Sequence, residues 1–167
     1  MEIKQAFKYC PRCGTEFKKE SKYLHCPACG LDYYLNPKPA TTVVLQNDHG
    51  EYIFAVRADE PRKGYLDFIG GFVDDNEDFE EAAKREIKEE TGLIVGPLEF
   101  LGTHTNEYLF QGINYKTVEV AYLAKIPVGA EFRVGDDVEK IMFYKADEIP
   151  LKHLAWPFMK KIVSQLK

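Results

Sequence analysis

The 167-residue chain contains no apolar run approaching the ~18 residues a membrane span requires. Its first ten residues, MEIKQAFKYC, lack the hydrophobic stretch of a secretory signal, so a soluble, cytoplasmic protein is expected. There is no internal repeat, no low-complexity segment and no Arg-rich stretch, and the last of these disfavours nucleic acid as a partner. Cysteine is absent beyond residue 29, which confines any thiolate site to the first 30 residues. No cofactor motif accompanies those cysteines, so a redox role is disfavoured. What is present is 45% hydrophobic content and 22 aromatic residues, enough for one core of ordinary size plus a small appendage. The net charge of −5 is uneven. Residues 1–38 carry seven Lys/Arg against four Asp/Glu, and the remainder carries fifteen against twenty-three, so a mildly basic segment precedes an acidic body. Such a body concentrates divalent cations.

The cysteines form two pairs, Cys10-Pro-Arg-Cys13-Gly14 and Cys26-Pro-Ala-Cys29-Gly30. A C-x2-C pair directs two sulfurs to one point, and the following glycine permits the tight turn that brings backbone N–H groups toward them. Two such turns make a tetrahedral four-sulfur site suited to Zn²⁺. A module of roughly 35 residues cannot bury enough apolar surface alone, so the metal would supply the missing stability. Disulfides are the alternative that an intracellular setting argues against. Iron is the other alternative, since the doubled C-P-x-C-G resembles rubredoxin sites with a much shorter spacer. Four thiolates leave no open coordination position, so a structural role is expected. Residues 1–36 read as a zinc ribbon, and Asn36-Pro37-Lys38-Pro39 as a stiff joint before a second domain at 39–167.

The densest chemistry lies in Gly71 to Leu93, GFVDDNEDFEEAAKREIKEETGL. Asp78 with Glu81 is a helix-start signal, and Gly92 suits the left-handed position past the last turn. At about 100° per residue, Phe79, Ala82, Ala83 and Ile87 make the core-facing stripe. Glu86 falls inside that stripe and Glu89 and Glu90 flank it, while Lys84 and Lys88 point the opposite way. Carboxylates packed toward a core repel one another unless a cation compensates. Oxygen-only donors select a hard ion, Mg²⁺ or Mn²⁺.

The same residues match the pattern G-x5-E-x7-R-E-U-x-E-E-x-G-U (U aliphatic) at Gly71, Glu77, Arg85, Glu86, Ile87, Glu89, Glu90, Gly92 and Leu93. That pattern resembles the signature of the Nudix hydrolases. The resemblance implies water attack on phosphorus in a nucleoside diphosphate linked to a further group. It also implies Glu86, Glu89 and Glu90 as metal ligands, with the Gly70 carbonyl as a further one. Arg85 and Glu77 are expected to orient the helix carboxylates. The general base is expected to be Glu86 or a carboxylate of a later loop, with Glu139 best placed and Asp136 and Asp137 behind it. A ribbon joined to such a domain resembles the NADH pyrophosphatases. Their S-Q-P-W-P-F-P motif is missing, however, and the matching region reads Leu101-Gly-Thr-His-Thr-Asn-Glu-Tyr108.

The rest of the chain supplies strands. Ala40 to Gln46 and Tyr52 to Arg57 form a hairpin around Asn47-Asp48-His49-Gly50. Tyr65 to Ile69 is a short strand. Leu98 to Phe110 and Tyr115 to Ala124 are long strands joined by Gln111 to Asn114. Gly129 to Lys140 is an acidic loop, Ile141 to Tyr144 a last strand, and Trp156 to Leu166 a closing helix. The order gives an α+β fold, a Nudix-type α/β/α sandwich with a mixed sheet behind a small zinc ribbon. Arg57 is the expected phosphate contact, with Arg62 and Lys63 as further candidates. Gly71 and Tyr108 are expected against substrate, and His104 and Asn106 stand where substrate-selecting residues could lie. The expected activity is Mg²⁺-dependent pyrophosphohydrolysis of a small nucleotide such as NADH or ADP-ribose, with a homodimer left open. The alternatives are a non-catalytic nucleotide sensor and a hydrolase of RNA 5′ ends.

Overall fold

The computed structural model describes residues 1–19 and 23–166, which form two compact units: Met1–Lys38 with Glu107–Lys116, and Pro39–Asn106 with Thr117–Lys167. Among the described residues no helix is long and apolar enough to cross a membrane.

In the first unit a single helical turn, α1 (Ile3–Ala6), precedes β1 (Lys18–Lys19), β2 (Tyr23–His25) and β3 (Asp32–Tyr34), which pair antiparallel in that order. The two cysteine turns are built alike. Gly14 N–H donates to Cys10 O and Gly30 N–H to Cys26 O, each at 2.9 Å, with φ of +75° and +72° at the glycines. A left-handed residue is what closes such a turn, and glycine adopts it without steric cost. Cys10, Phe17, Leu24 and Cys26 are buried, with Phe7, Leu31 and Tyr33 packed around them. The unit also takes in the tip of the long hairpin, where the Met1 amino group donates to Gly112 O at 2.7 Å.

The second unit is a mixed sheet of β4 (Lys38–Gln46), β5 (Tyr52–Arg57), β6 (Leu66–Asp67), β7 (Glu99–Phe110), β8 (Ile113–Lys125) and β9 (Val138–Tyr144). The order is β6-β5-β4-β8-β7, with β9 on β5. Gln46 meets Lys125 and Ile126 while Thr42 meets Glu119, so β4 and β8 run in the same direction and no tight turn could join them. The main helix, α2 (Phe79–Thr91), packs Ala83 and Ile87 against Val43, Leu45, Ile53, Ala55, Val120, Tyr122 and Ala124. Alternation then sends Thr42, Thr117, Glu119 and Phe54 to the opposite face.

Three expectations are corrected. The long hairpin turns in two residues, Gln111–Gly112, because both carry positive φ (+48° and +77°) and let Ile113 and Asn114 join β8. The last strand starts at Val138, so Glu139 lies inside β9 and is exposed there, not in the loop ahead of it. The closing helix shrinks to α3 (Met159–Val163), since its flanks close three-residue turns: Met159 N–H donates to Trp156 O and Lys161 N–H to Phe158 O, and beyond it Gln165 N–H donates to Ile162 O and Leu166 N–H to Val163 O. Ahead of it, Leu66 pairs in parallel with Leu154 and exchanges backbone bonds with His153 and Ala155.

Candidate active site

The helix α2 is fixed at both ends by its own sequence. Asp78 accepts from Glu80 N–H and Glu81 N–H at 2.9 Å, and Glu81 returns a bond to Asp78 N–H. Gly92 ends it at φ +72°, donating to Lys88 O. This sets the phase that buries Ala82, Ala83 and Ile87 and leaves Glu86 and Glu90 half-buried, while Glu89 is exposed.

The glycine loop meets that helix because β4 leaves β5 after two residue pairs and bonds the loop instead. Thr41 N–H donates to Gly71 O at 2.8 Å and Val43 N–H to Ile69 O at 2.7 Å. A Cβ on Gly71 would fall on the Glu86 carboxylate, and one on Gly70 would fall on Thr41 O. Gly70, at φ +151° against backbone, is required by close approach, whereas at Gly71 a side chain would have to displace the Glu86 carboxylate. The Gly70 backbone lies beside the Glu90 carboxyl and opposes, weakly, the rise of its pKa.

Arg85 organises the acids. Its Nε donates to Glu77 Oε1 (2.6 Å) and its Nη2 to Glu77 Oε2 and Phe72 O (both 3.0 Å). Its Nη1 reaches Glu86 Oε1 (2.8 Å) and Glu89 Oε2 (3.0 Å). One guanidinium thus ties three carboxylates and the glycine loop, using the planar fork that lysine lacks. Hydrogen bonding to Arg85 holds Glu77 below the usual carboxylate range. Glu86 is pushed up by burial, against the pull of Arg85.

Glu90 has no such cation. Burial, the charges of Glu86 and Asp67, and more weakly that of Asp137, push its carboxyl up to about 9. Its Oε2 is buried without a hydrogen-bond partner. A carboxylate held this way is a site where charge awaits compensation.

The cysteines converge far more closely. Cys10 Sγ lies 3.7 Å from Cys29 Sγ and Cys13 Sγ lies 3.4 Å from Cys26 Sγ, and all four sulfurs fall within 4.8 Å of one another. Among the described residues this is the one set of three or more His, Cys, Asp or Glu donors that converges to that degree, and all four thiols are free of disulfides.

Several expected residues stand elsewhere. Arg57 is committed: it bonds Asp67 at 2.9 Å and Pro61 O at 2.8 Å and lies over the Trp156 ring. Its Nε and Nη1 are thus held by Pro61 O and Asp67, so any phosphate contact would be made by a side chain already fixed in place. Tyr108 lies in the first compact unit, beside Phe110. Arg62 stacks over Tyr65, and Lys63 is exposed. Asp136 is exposed as well; Asp137 is the loop acid whose charge acts on Glu90, and its carbonyl accepts from Ala58 N–H. His104 stacks on Phe158 with ring centroids 5.6 Å apart.

Two buried acids escaped the sequence reading. Asp67 accepts from Trp156 Nε1–H at 2.9 Å as well as from Arg57. Glu119, 7% exposed, accepts from the hydroxyls of Thr117 (2.6 Å) and Thr42 (3.4 Å). The available signal was a single acid in an apolar strand, V-E-V-A-Y for Glu119 and L-D-F-I for Asp67.

A family model described as the NUDIX domain matches residues 36–166. The ADP-ribose pyrophosphatase of Methanocaldococcus jannaschii is 31% identical over 117 residues, covering 70% of this chain and 67% of that protein. The NAD-capped RNA hydrolase NudC of Pseudomonas aeruginosa is 23% identical over 143 residues, covering 86% of this chain and 49% of that protein. The chain thus spans about half the length of the latter relative. Among solved structures, a NUDIX hydrolase from Nitrosomonas europaea superposes with a TM-score of 0.73 at 22% identity, covering 95% of this chain and 92% of that one. The NUDIX domain of Shewanella oneidensis NrtR, crystallised with ADP ribose, superposes with a TM-score of 0.64 at 20% identity, covering 78% and 86%. At those identities the likeness establishes the fold.

Proposed function

The chain belongs to the NUDIX domain family, and from that premise we propose that it is a divalent-metal-dependent pyrophosphohydrolase acting on a nucleoside diphosphate derivative of the ADP-ribose type. The proposed organisation is a zinc ribbon at 1–36 and a hydrolase domain at 39–167. The observation that carries the reading is Glu90, buried beside Glu86 with one oxygen unpartnered and its carboxyl pushed up to about 9. A hard cation fits that oxygen-only set, and Glu86, Glu89, Glu90 and the Gly70 carbonyl are the groups that would hold it. When bound, Mg²⁺ or Mn²⁺ supplies positive charge against the pyrophosphate and makes water more acidic.

The chain's own residues do the rest. Arg85 and Glu77 position the carboxylates, since Arg85 is saturated by them and by Phe72 O. The Gly71 backbone lets substrate phosphate come close to α2, because no side chain stands there. A water oxygen attacks phosphorus, the P–O anhydride bond breaks, and a carboxylate takes the water's proton. Glu86 is the candidate base on α2. From the later segment Glu139 and Asp137 are the further candidates, both exposed, with the Asp137 charge felt at Glu90.

The names of the relatives converge on one chemical unit. ADP-ribose and an NAD cap both contain adenosine diphosphate linked to ribose, which supports an adenine nucleotide substrate. All five charged box residues, Glu77, Arg85, Glu86, Glu89 and Glu90, are present, which favours catalysis over a sensor role.

For the cysteines, a metal–sulfur bond of ~2.3 Å gives a tetrahedron with edges of about 3.8 Å, close to the observed 3.4 and 3.7 Å. Structural Zn²⁺ is therefore proposed there, and a reducing, cytoplasmic setting goes with it. The test is hydrolysis of ADP-ribose and NADH with Mg²⁺, monitoring release of nucleoside monophosphate. Glu90→Gln and Glu86→Gln are expected to abolish turnover with the fold retained, and full activity in either variant would sink the reading.

A further inference from the structure

The box chemistry leaves one polar patch of the second unit unused: the sheet face opposite α2. Glu119 is buried there, and its two oxygens meet only the neutral hydroxyls of Thr117 and Thr42. Hydroxyls compensate poorly for a buried charge, and burial, together with the charge of Asp67, pushes the Glu119 carboxyl up to about 7. An apolar side chain would fit this strand at lower cost, so the acid calls for another explanation.

Its cross-strand neighbour follows from the hairpin register. The two-residue turn sets Phe110 opposite Ile113. Three pairs on, Glu107 faces Lys116, and those two do form an ion pair. Three pairs further, His104 faces Glu119. His104 is half-buried, its ring stacked on Phe158, and its Nε2 is enclosed without a hydrogen-bond partner. Burial and the Lys161 charge keep that ring neutral. A carboxyl, a neutral imidazole and two hydroxyls thus share one face beside an aromatic ring.

We propose that this patch reads the nucleobase of the substrate, with Glu119 as the specificity-determining residue that pairs with the N1 and 6-amino edge of adenine. A carboxylic acid offers a donor and an acceptor side by side, which is the complement of that edge. His104, half-buried and backed by the buried Phe158 ring, offers the aromatic surface against which a planar base packs. Asp67 acts on both Glu119 and Glu90, so the patch and the box share one electrostatic neighbourhood. This inference rests on the hydrolase reading above.

The test compares ADP-ribose with 1,N6-etheno-ADP-ribose, whose sugar and phosphates are identical but whose N1 and N6 are blocked. In the wild type, KM for the etheno compound is expected to be about tenfold higher or more. Glu119→Leu is expected to collapse the KM ratio toward one, while Glu119→Gln, which keeps a donor and an acceptor, preserves it. Should Glu119→Leu fail to fold, the pH dependence decides. KM for ADP-ribose in the wild type should rise above about pH 7 as Glu119 loses its proton, and should be flat in Glu119→Gln. Equal KM for the two compounds in the wild type, or a ratio that survives Glu119→Leu, overturns base reading by Glu119. Failure of the wild type to cleave either compound overturns the hydrolase reading itself.

Discussion

The cysteine cluster and the carboxylate helix are the two proposed cation sites, and they stand ready to different degrees. The four sulfurs already lie within 4.8 Å of one another. The box carboxylates do not gather so tightly; Arg85 stands among Glu77, Glu86 and Glu89, and Glu90 keeps an oxygen unpartnered. The physical difference is charge. Thiols are neutral when protonated and can touch at van der Waals distance, whereas carboxylates repel and must be separated, protonated or bridged by a cation. One is a preformed set of four sulfurs in a unit with a small core, and the other is a set of charged groups in a unit with a core of its own.

That contrast can be broken first at the ribbon. Cys26→Ser, at a buried ligand, should lose the bound metal and unfold the first unit, because a structural zinc contributes on the order of 10 kcal/mol to so small a module. Metal analysis should show about one Zn per wild-type chain, and limited proteolysis should cut the variant within residues 1–38. A variant that keeps its ribbon protected without metal would remove the cysteine site from the comparison.

At the box the effect should fall on rate rather than on structure. Glu90→Gln should lower kcat by roughly 10²–10³-fold or more while the melting temperature holds, since the carboxyl, pushed up to about 9, is uncharged near neutral pH and Gln matches its shape. Paired kinetics and calorimetry separate the two, and a large loss of stability with kcat retained would make Glu90 a structural residue. Arg85→Ala should cost about 10–100-fold, the range for groups that orient metal ligands, with sensitivity to Mg²⁺ concentration as the signature. An unchanged Mg²⁺ dependence would count against positioning.

The smallest effect is a pH slope. Glu119 is raised from about 4.5 unfolded to about 7 folded, so the native state binds its proton more tightly. Its contribution is fully present below pH 4.5 and is lost as pH rises through 7, by about 3 kcal/mol at most. Denaturant melts between pH 5 and 8 should show this decline in the wild type and a flatter profile in Glu119→Gln; identical slopes would show that Glu119 does not titrate in this window.

The parts legible in the sequence were those made by neighbours along the chain. The Asp78–Glu81 box, the Gly92 stop and the two C-x-x-C-G turns are closed by bonds spanning two to four residues, so spacing alone announced them. Arg57 misled because a basic residue at a strand end looks free until Asp67 and Trp156, 10 and 99 positions on, are brought to it by the edge strand and the C-terminal segment. The closing helix was overdrawn because its flanks, residues 156–158 and 164–166, close three-residue turns, a difference the apolar period does not show.

By itself, then, the sequence determined the two cysteine turns and the phase of α2, through short-range hydrogen bonding and the 3.6-residue period, and its box motif carried the family. Only the tertiary structure decided which acids lose their water. Glu119 and Asp67 read as ordinary charges until β4, β8 and the C-terminal segment cover them, because desolvation depends on what packs against a side chain and not on its neighbours in the chain.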